Sequence, residues 1–200
     1  MSQITSAKFV KSSTHLDEFP DPKLSEFAFI GRSNVGKSSL INFLCNNRNL
    51  AKTSSKPGRT RLINHFLINN SFYFVDLPGY GFAKSSKIDR QRWGYFTENF
   101  LLKSKYLKYL FVLIDINIPP QQVDLEFLSW LKLKQIPFGV VLTKIDKPNQ
   151  AALYRQTRLF DETLSRILEV GDKLFQVSTV KRKGREEILE FIFSKLENVK

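Results

Sequence analysis

The chain has 200 residues and a mass of 23.2 kDa, enough for one compact domain and little else. At 42% hydrophobic residues it can bury a core, which argues against disorder, and its single cysteine, Cys45, excludes both a disulfide framework and a cysteine-built metal site. Lys and Arg number 31 against 19 Asp and Glu, and the resulting net charge of +12 attracts polyanions, chiefly nucleic acid or an acidic membrane surface.

Residues 1–20 carry Asp17 and Glu18 and lack a basic start followed by an apolar run, so neither a signal peptide nor a transit peptide is expected. They read as an N-terminal arm of the same domain, whose body spans 21–200. The apolar stretch 27–30 predicts a strand and 38–46 a helix. Strands are expected at 62–68 and 72–76, close enough across Asn69-Asn70-Ser71 to form a hairpin. Helices at 90–103, 122–134, 150–170 and 185–197 then alternate with strands at 109–115, 138–143 and 174–178. The pattern predicts an α/β domain: a mostly parallel six-stranded sheet with one antiparallel strand and helices on both faces. The longest apolar run, 110–118, is broken by Asp115 and is too short to span a bilayer, so no membrane insertion is expected. The polar segments 47–61 and 79–89 read as long exposed loops, which in a compact α/β domain usually carry function.

Between the first strand and the first helix, Gly31-Arg32-Ser33-Asn34-Val35-Gly36-Lys37-Ser38 fits the phosphate-loop pattern G-x-x-x-x-G-K-[ST]. The glycines let successive backbone N–H groups turn inward around a β-phosphate, and the helix start points its positive end at the same group. Lys37 supplies a charge to the β- and γ-phosphates, and the Ser38 hydroxyl suits Mg²⁺. Asp76-Leu77-Pro78-Gly79 ends a later strand; Asp76 can hold Mg²⁺ through water, and the Gly79 N–H can reach a γ-phosphate. In the first long loop Gly58, Arg59, Thr60 and Arg61 form part of a candidate switch. Thr60 is the second hydroxyl ligand for Mg²⁺, and its release after hydrolysis makes an order–disorder transition.

Thr143-Lys144-Ile145-Asp146 closes another strand. A carboxylate at Asp146 accepts from guanine N1–H and the N2 amino group, whereas adenine offers an acceptor at N1 and nothing at C2. Charged hydrogen bonds of this kind contribute about 1.5–3 kcal/mol each, so the motif selects guanine. Lys144 can lie across the purine, and Val177-Ser178-Thr179 can offer a backbone N–H to guanine O6. The bound nucleotide is expected to be GTP or GDP.

Four motifs in this order look like a translation-factor-related small GTPase. The wording of Gly31 to Asn42, of Lys56-Pro57-Gly58-Arg59-Thr60 and of Asp76-Leu-Pro-Gly-Tyr-Gly-Phe-Ala83, with Trp93-Gly94 and Lys181-Arg-Lys-Gly184, resembles the EngB (YihA/YsxC) family across nearly the whole chain. The resemblance implies a bacterial cytoplasmic GTPase that acts in assembly of the large ribosomal subunit and is implicated in cell division and septation. One departure is Arg61, where a Gln commonly follows the switch threonine.

The residue after Gly79 is Tyr80, whose ring cannot copy the glutamine amide that positions the attacking water in a typical small GTPase. Slow intrinsic hydrolysis, stimulated by a partner or an ion, is therefore expected, with no catalytic residue assigned. Related GTPases with Asn at the position of Asn34 often bind K⁺ there. The basic groups around Lys52 to Arg61, Lys84 to Arg92, Lys103 to Lys108 and Lys181 to Arg185 fit phosphate-backbone contact with ribosomal RNA. Two other readings compete: a GTP-dependent protein-interaction or division factor that does not bind the ribosome, and a P-loop kinase or ATPase, which Asp146 disfavours. With no dimer seam in the sequence, a monomer is expected.

Overall fold

The computed structural model describes residues 3–52, 62–80, 96–168 and 172–197. In chain order the elements are β1 (Ala7–Ser13), β2 (Ser25–Gly31), α1 (Lys37–Leu44), β3 (Ile63–Ile68), β4 (Phe72–Asp76), α2 (helical at 96–103), β5 (Leu107–Asp115), α3 (Gln122–Leu133), β6 (Phe138–Thr143), α4 (Gln150–Leu164), β7 (Leu174–Val177) and α5 (Arg185–Glu197). The strands form one sheet in the order β1-β3-β4-β2-β5-β6-β7. Every pairing from β4 to β7 is parallel; β3 alone is reversed, pairing antiparallel with both β1 and β4.

Alternation along the strands makes two cores. Phe27 and Phe29 of β2 face α1 and α5, with Leu40, Ile41, Ile188 and Ile192, while Ala28 and Ile30 face α2, α3 and α4, with Phe100, Leu128, Leu131 and Phe160. Phe29 stacks on Phe111 at 5.1 Å and meets Phe74 edge-on at 5.0 Å, so much of the chain's phenylalanine serves packing on the first face. Cys45 lies in that core, and burial pushes its thiol up to about 12. On the other face buried His65 sits 3.5 Å from Glu26 and edge-on to Phe19 at 4.7 Å, a packed position with no ligand geometry.

Among the described residues the sheet has seven strands where six are predicted. The extra strand, β1, comes from the arm: Lys8, Phe9, Val10 and Lys11 are all exposed, so no two-residue alternation marks it. Register across the β3 edge creates it, and Phe9 rests edge-on against Phe66 at 5.9 Å. A bulge between Phe9 and Lys11, with the two lysines, blunts the outer edge against further pairing. Helix α4 stops at Leu164, short of the predicted 170, because Ser165 Oγ donates back to the Glu162 carbonyl at 2.9 Å as the chain tightens into a turn. Of the predicted helix 90–103, residues 90–95 lie outside the described residues. Among the described residues no helix is long and apolar enough to cross a membrane.

Candidate nucleotide-binding site

The parallel strands all end on one side of the sheet, where α/β folds place their ligands. Gly31 ends β2, Asp76 ends β4, Asp115 ends β5, Thr143 ends β6, and Val177 ends β7. Motifs separated by more than a hundred residues are thereby brought side by side.

The phosphate loop runs from Gly31 through Arg32, Ser33, Asn34, Val35 and Gly36 into α1, whose first residues are Lys37 and Ser38. Gly36 has φ +104° with open space around its α-carbon, so its glycine is needed for backbone conformation alone. Gly31 is needed for room: a Cβ there would lie 2.7 Å from the Leu113 carbonyl and 2.8 Å from Val35 Cγ1. Asn34 takes φ 63°, a left-handed conformation that asparagine tolerates better than most residues. Lys37 Nζ is ion-paired with the Asp76 carboxylate, and both side chains are largely buried. Leu77 N donates to the Phe29 carbonyl at 3.0 Å, which aligns Asp76-Leu77-Pro78-Gly79 with the strand that feeds the loop.

The last two motifs are tied to this loop and to each other. Thr143 Oγ1 donates to the Val35 carbonyl at 2.7 Å, and Lys144 Nζ donates to the Asn34 carbonyl at 2.7 Å. Lys144 itself is left-handed, with φ 60°, strain that its fixed side chain and backbone hold in place. Its ammonium also meets Asp115 at 2.7 Å, and Asn117 Nδ2 bridges Asp115 (2.8 Å) and the Lys144 carbonyl (3.2 Å). Burial disfavours charge on Asp115, yet Lys144 and Asn117 outweigh it and hold the carboxyl below its ordinary range. Ile145 N donates to the Val177 carbonyl at 3.4 Å, Ser178 Oγ donates to Asp146 at 2.6 Å, and Lys181 N donates to Ser178 Oγ at 2.9 Å. Thr179 opens the turn that follows, closed by backbone bonds between Ser178 and Lys183. Gly184 ends that turn at φ +80°, with a Cβ position only 2.1 Å from the Gln176 carbonyl.

Gly58, Arg59, Thr60 and Arg61 lie outside the described residues, as do Trp93 and Gly94 and the basic groups Lys56 to Arg61 and Lys84 to Arg92. Among the described cations, Lys52, Lys103, Lys105, Lys181, Arg182 and Lys183 are exposed. Arg185 does not belong with them: it donates to the carbonyls of Phe43 at 3.0 Å and Leu44 at 2.7 Å, capping the end of α1.

Three residues enter the site that the motifs do not name. Asp115 had a visible signal, since it interrupts the apolar run 110–118. Asn117 had none, and buried Asp124 in the first turn of α3 looks like any acidic helix start. Asp124 Oδ2 faces Arg32 Nη1 at 3.9 Å, and Tyr80 stacks on Phe127, one helical turn further along α3, at 4.4 Å.

A strand–loop–helix phosphate motif and a lysine–aspartate base motif, locked together on the carboxyl ends of a mostly parallel sheet, define a P-loop GTPase. A family model described as 50S ribosome-binding GTPase matches residues 26–144. Probable GTP-binding protein EngB of Porphyromonas gingivalis is 47% identical over 192 residues, 96% of each chain. A crystal structure of a probable GTP-binding protein engB superposes with a TM-score of 0.71 at 24% identity, covering 87% of this chain and 100% of that one. Era, crystallised with MgGDPNP and nucleotides 1506–1542 of 16S ribosomal RNA, gives a TM-score of 0.68 at 25% identity over 86% of this chain and 57% of its own. The chain belongs to the EngB family of GTP-binding proteins, and it is a GTPase.

Proposed function

We propose that the chain is a GTP-driven switch that works on the large ribosomal subunit during its assembly. The observation that carries the nucleotide half of this reading is the pair of bonds from Thr143 and Lys144 to the carbonyls of Val35 and Asn34, which hold phosphate loop and base motif in one rigid frame. In that frame the backbone of Arg32 to Gly36 cradles the β-phosphate, Lys37 serves the β- and γ-phosphates, and Gly79 N–H takes the γ-phosphate. Lys144 lies along the purine, Asp146 accepts from guanine N1–H and N2, and the backbone near Ser178 and Thr179 serves O6.

The Ser38 hydroxyl and the Asp76 carboxylate are hard oxygen donors of the kind that fits Mg²⁺, and the Lys37–Asp76 pair sets the end of β4 beside the start of α1. Ser38 and Thr60 are assigned as its direct ligands. Bound there, the ion neutralises charge on the β- and γ-phosphate oxygens. In a triphosphate complex Lys37 would exchange its carboxylate partner for phosphate, which would leave Asp76 able to hold the ion through water.

Tyr80 packs on α3 and offers no amide to an attacking water, which supports a slow intrinsic rate raised by a partner or by K⁺ at Asn34. Identical GTP turnover in K⁺ and Na⁺ buffers would remove the ion from this account.

The ribosomal half rests on the +12 charge, on the exposed cations Lys181, Arg182 and Lys183, and on the description of the matching family. RNA backbone contact fits these features; a cytoplasmic location and a role that touches cell division are carried over from the EngB resemblance alone, and a monomer from the lack of a dimer seam in the sequence. The test is co-sedimentation with purified large subunits, comparing a non-hydrolysable GTP analogue with GDP at two salt concentrations. Pelleting should require the analogue and fall as salt rises, because neutralised phosphates release counterions. Absence of pelleting under every condition would favour the competing reading, a GTP-dependent protein-interaction or division factor.

A further inference from the structure

Tyr80, Asp124 and Arg32 come from three separate parts of the chain and converge behind the phosphate loop. Tyr80 follows Gly79 directly, Arg32 follows Gly31, and Asp124 sits in the first turn of α3. The Tyr80 ring stacks on Phe127 at 4.4 Å with 27° between the planes, which brings its hydroxyl in beside the Asp124 carboxylate. That carboxylate is only 2% exposed and reaches Arg32 with Oδ2 at 3.9 Å. The remaining polar atoms are the informative ones. Tyr80 Oη and Asp124 Oδ1 are both buried and lie within interacting reach of each other, yet neither makes a hydrogen bond of good geometry.

Leaving two buried polar atoms unpaired is costly, and phenylalanine at residue 80 with an apolar residue at 124 would pack α3 without that cost. A donor and an acceptor enclosed side by side make a bond that a small movement of Tyr80 completes. A movement of that size would follow if Gly79 shifts when its N–H engages a γ-phosphate, because Tyr80 is covalently next to it. Burial of both atoms excludes water, which makes the completed bond stronger than its surface counterpart. Charge agrees with the geometry: burial, then the neighbouring carboxylate, pushes the Tyr80 phenol well above its ordinary range, so it remains a donor. Burial also raises Asp124, while Tyr80 and Arg32 pull the other way.

We propose that Asp124 is a positioning residue that links the phosphate loop to the γ-phosphate-sensing segment, holding Arg32 with one carboxylate oxygen and closing on the Tyr80 hydroxyl with the other when a triphosphate is bound. The proposal rests on the reading of Gly79 as the γ-phosphate donor. Its consequence is a preference for GTP over GDP that is built partly from a contact outside the nucleotide pocket. Arg32 shares the same carboxylate, so it is steadied when the contact closes and the phosphate loop is drawn into the triphosphate arrangement.

The experiment compares dissociation constants of GDP and a non-hydrolysable GTP analogue for the full chain and for Tyr80→Phe, Asp124→Asn, their double variant and Lys37→Ala. Tyr80→Phe removes one oxygen and keeps the stack on Phe127, so it decides the matter even where Asp124→Asn folds poorly. The expected result is a loss of about tenfold in analogue affinity with GDP affinity unchanged in both single variants, and no further loss in the double variant. Equal losses for both nucleotides, additive losses, or no change overturn the coupling. The underlying reading fails separately: if Lys37→Ala leaves analogue binding intact, the phosphate site itself is misplaced.

Discussion

Ser178 Oγ donates a 2.6 Å hydrogen bond to Asp146 Oδ1, joining the ends of β7 and β6 across 32 residues of sequence. The bond orients the carboxylate and leaves each of its oxygens a free lone pair, the requirement for a two-point grip on a base edge. Ser178 is itself held by Lys181 N at 2.9 Å, so the base motif is braced from behind by the turn that ends in Gly184.

Replacing Asp146 with Asn removes the charge and turns one acceptor into a donor. GTP affinity should fall roughly a hundredfold or more, from two charged hydrogen bonds lost at about 1.5–3 kcal/mol each. Affinity for xanthosine triphosphate should rise, because its C2 carbonyl accepts where guanine donates. Titration with both nucleotides checks this, and an unchanged preference would place the base pocket elsewhere.

Asp115→Asn keeps the shape of the side chain but takes away the partner of the Lys144 ammonium. Lys144 Nζ retains its 2.7 Å bond to the Asn34 carbonyl, so the frame should survive with Lys144 less firmly placed. A loss of about 1 kcal/mol, roughly fivefold in GTP and GDP affinity alike, is the expected outcome. Fluorescent-nucleotide binding measures it, with the far-ultraviolet circular dichroism spectrum unchanged.

Gly184→Ala puts a methyl group 2.1 Å from the Gln176 carbonyl and forces alanine to φ +80°. The stability loss should be about 2–3 kcal/mol, read from the urea midpoint at constant slope. Because the turn braces Ser178, nucleotide affinity should also fall. A variant as stable as the parent would mean that the turn adapts at no cost.

Cys45 should resist thiol reagents in the folded chain at pH 8 and react at once in denaturant. Burial raises its thiol from 9.0 to about 12, so the folded state holds the proton more tightly than the unfolded state does. The associated stability is fully present below pH 9 and is lost as pH rises towards 12. Thiol-reagent absorbance with and without urea tests the first statement, and denaturant midpoints between pH 8 and 10 test the second.

How much of the molecule could be read beforehand depended on the range of the interaction involved. The phosphate loop is a local object: glycine conformations at Gly31 and Gly36, a lysine and a hydroxyl at the mouth of a helix, all inside eight consecutive residues. Asp76 and Asp146 were legible for the same reason: Asp76 ends one short, continuously apolar strand and Asp146 follows another by three residues. β1 was not legible, because an edge strand with exposed Lys8 to Lys11 has no buried face to impose an alternation, and only the neighbouring β3 draws it into the sheet. Arg185 looked like one more surface cation until the packing of α5 beside α1 turned it towards two open helix carbonyls. Asp115 showed itself as an interruption, but its partner Lys144 is separated from it by a whole strand–helix unit. Asp124 and Tyr80 depend on how α3 lies against the sheet. Backbone conformation and side-chain period are set by neighbours in the chain, so they can be read from residue order. A contact between distant residues exists only once strand order and helix packing have brought them together, and those are decided by the folded core as a whole.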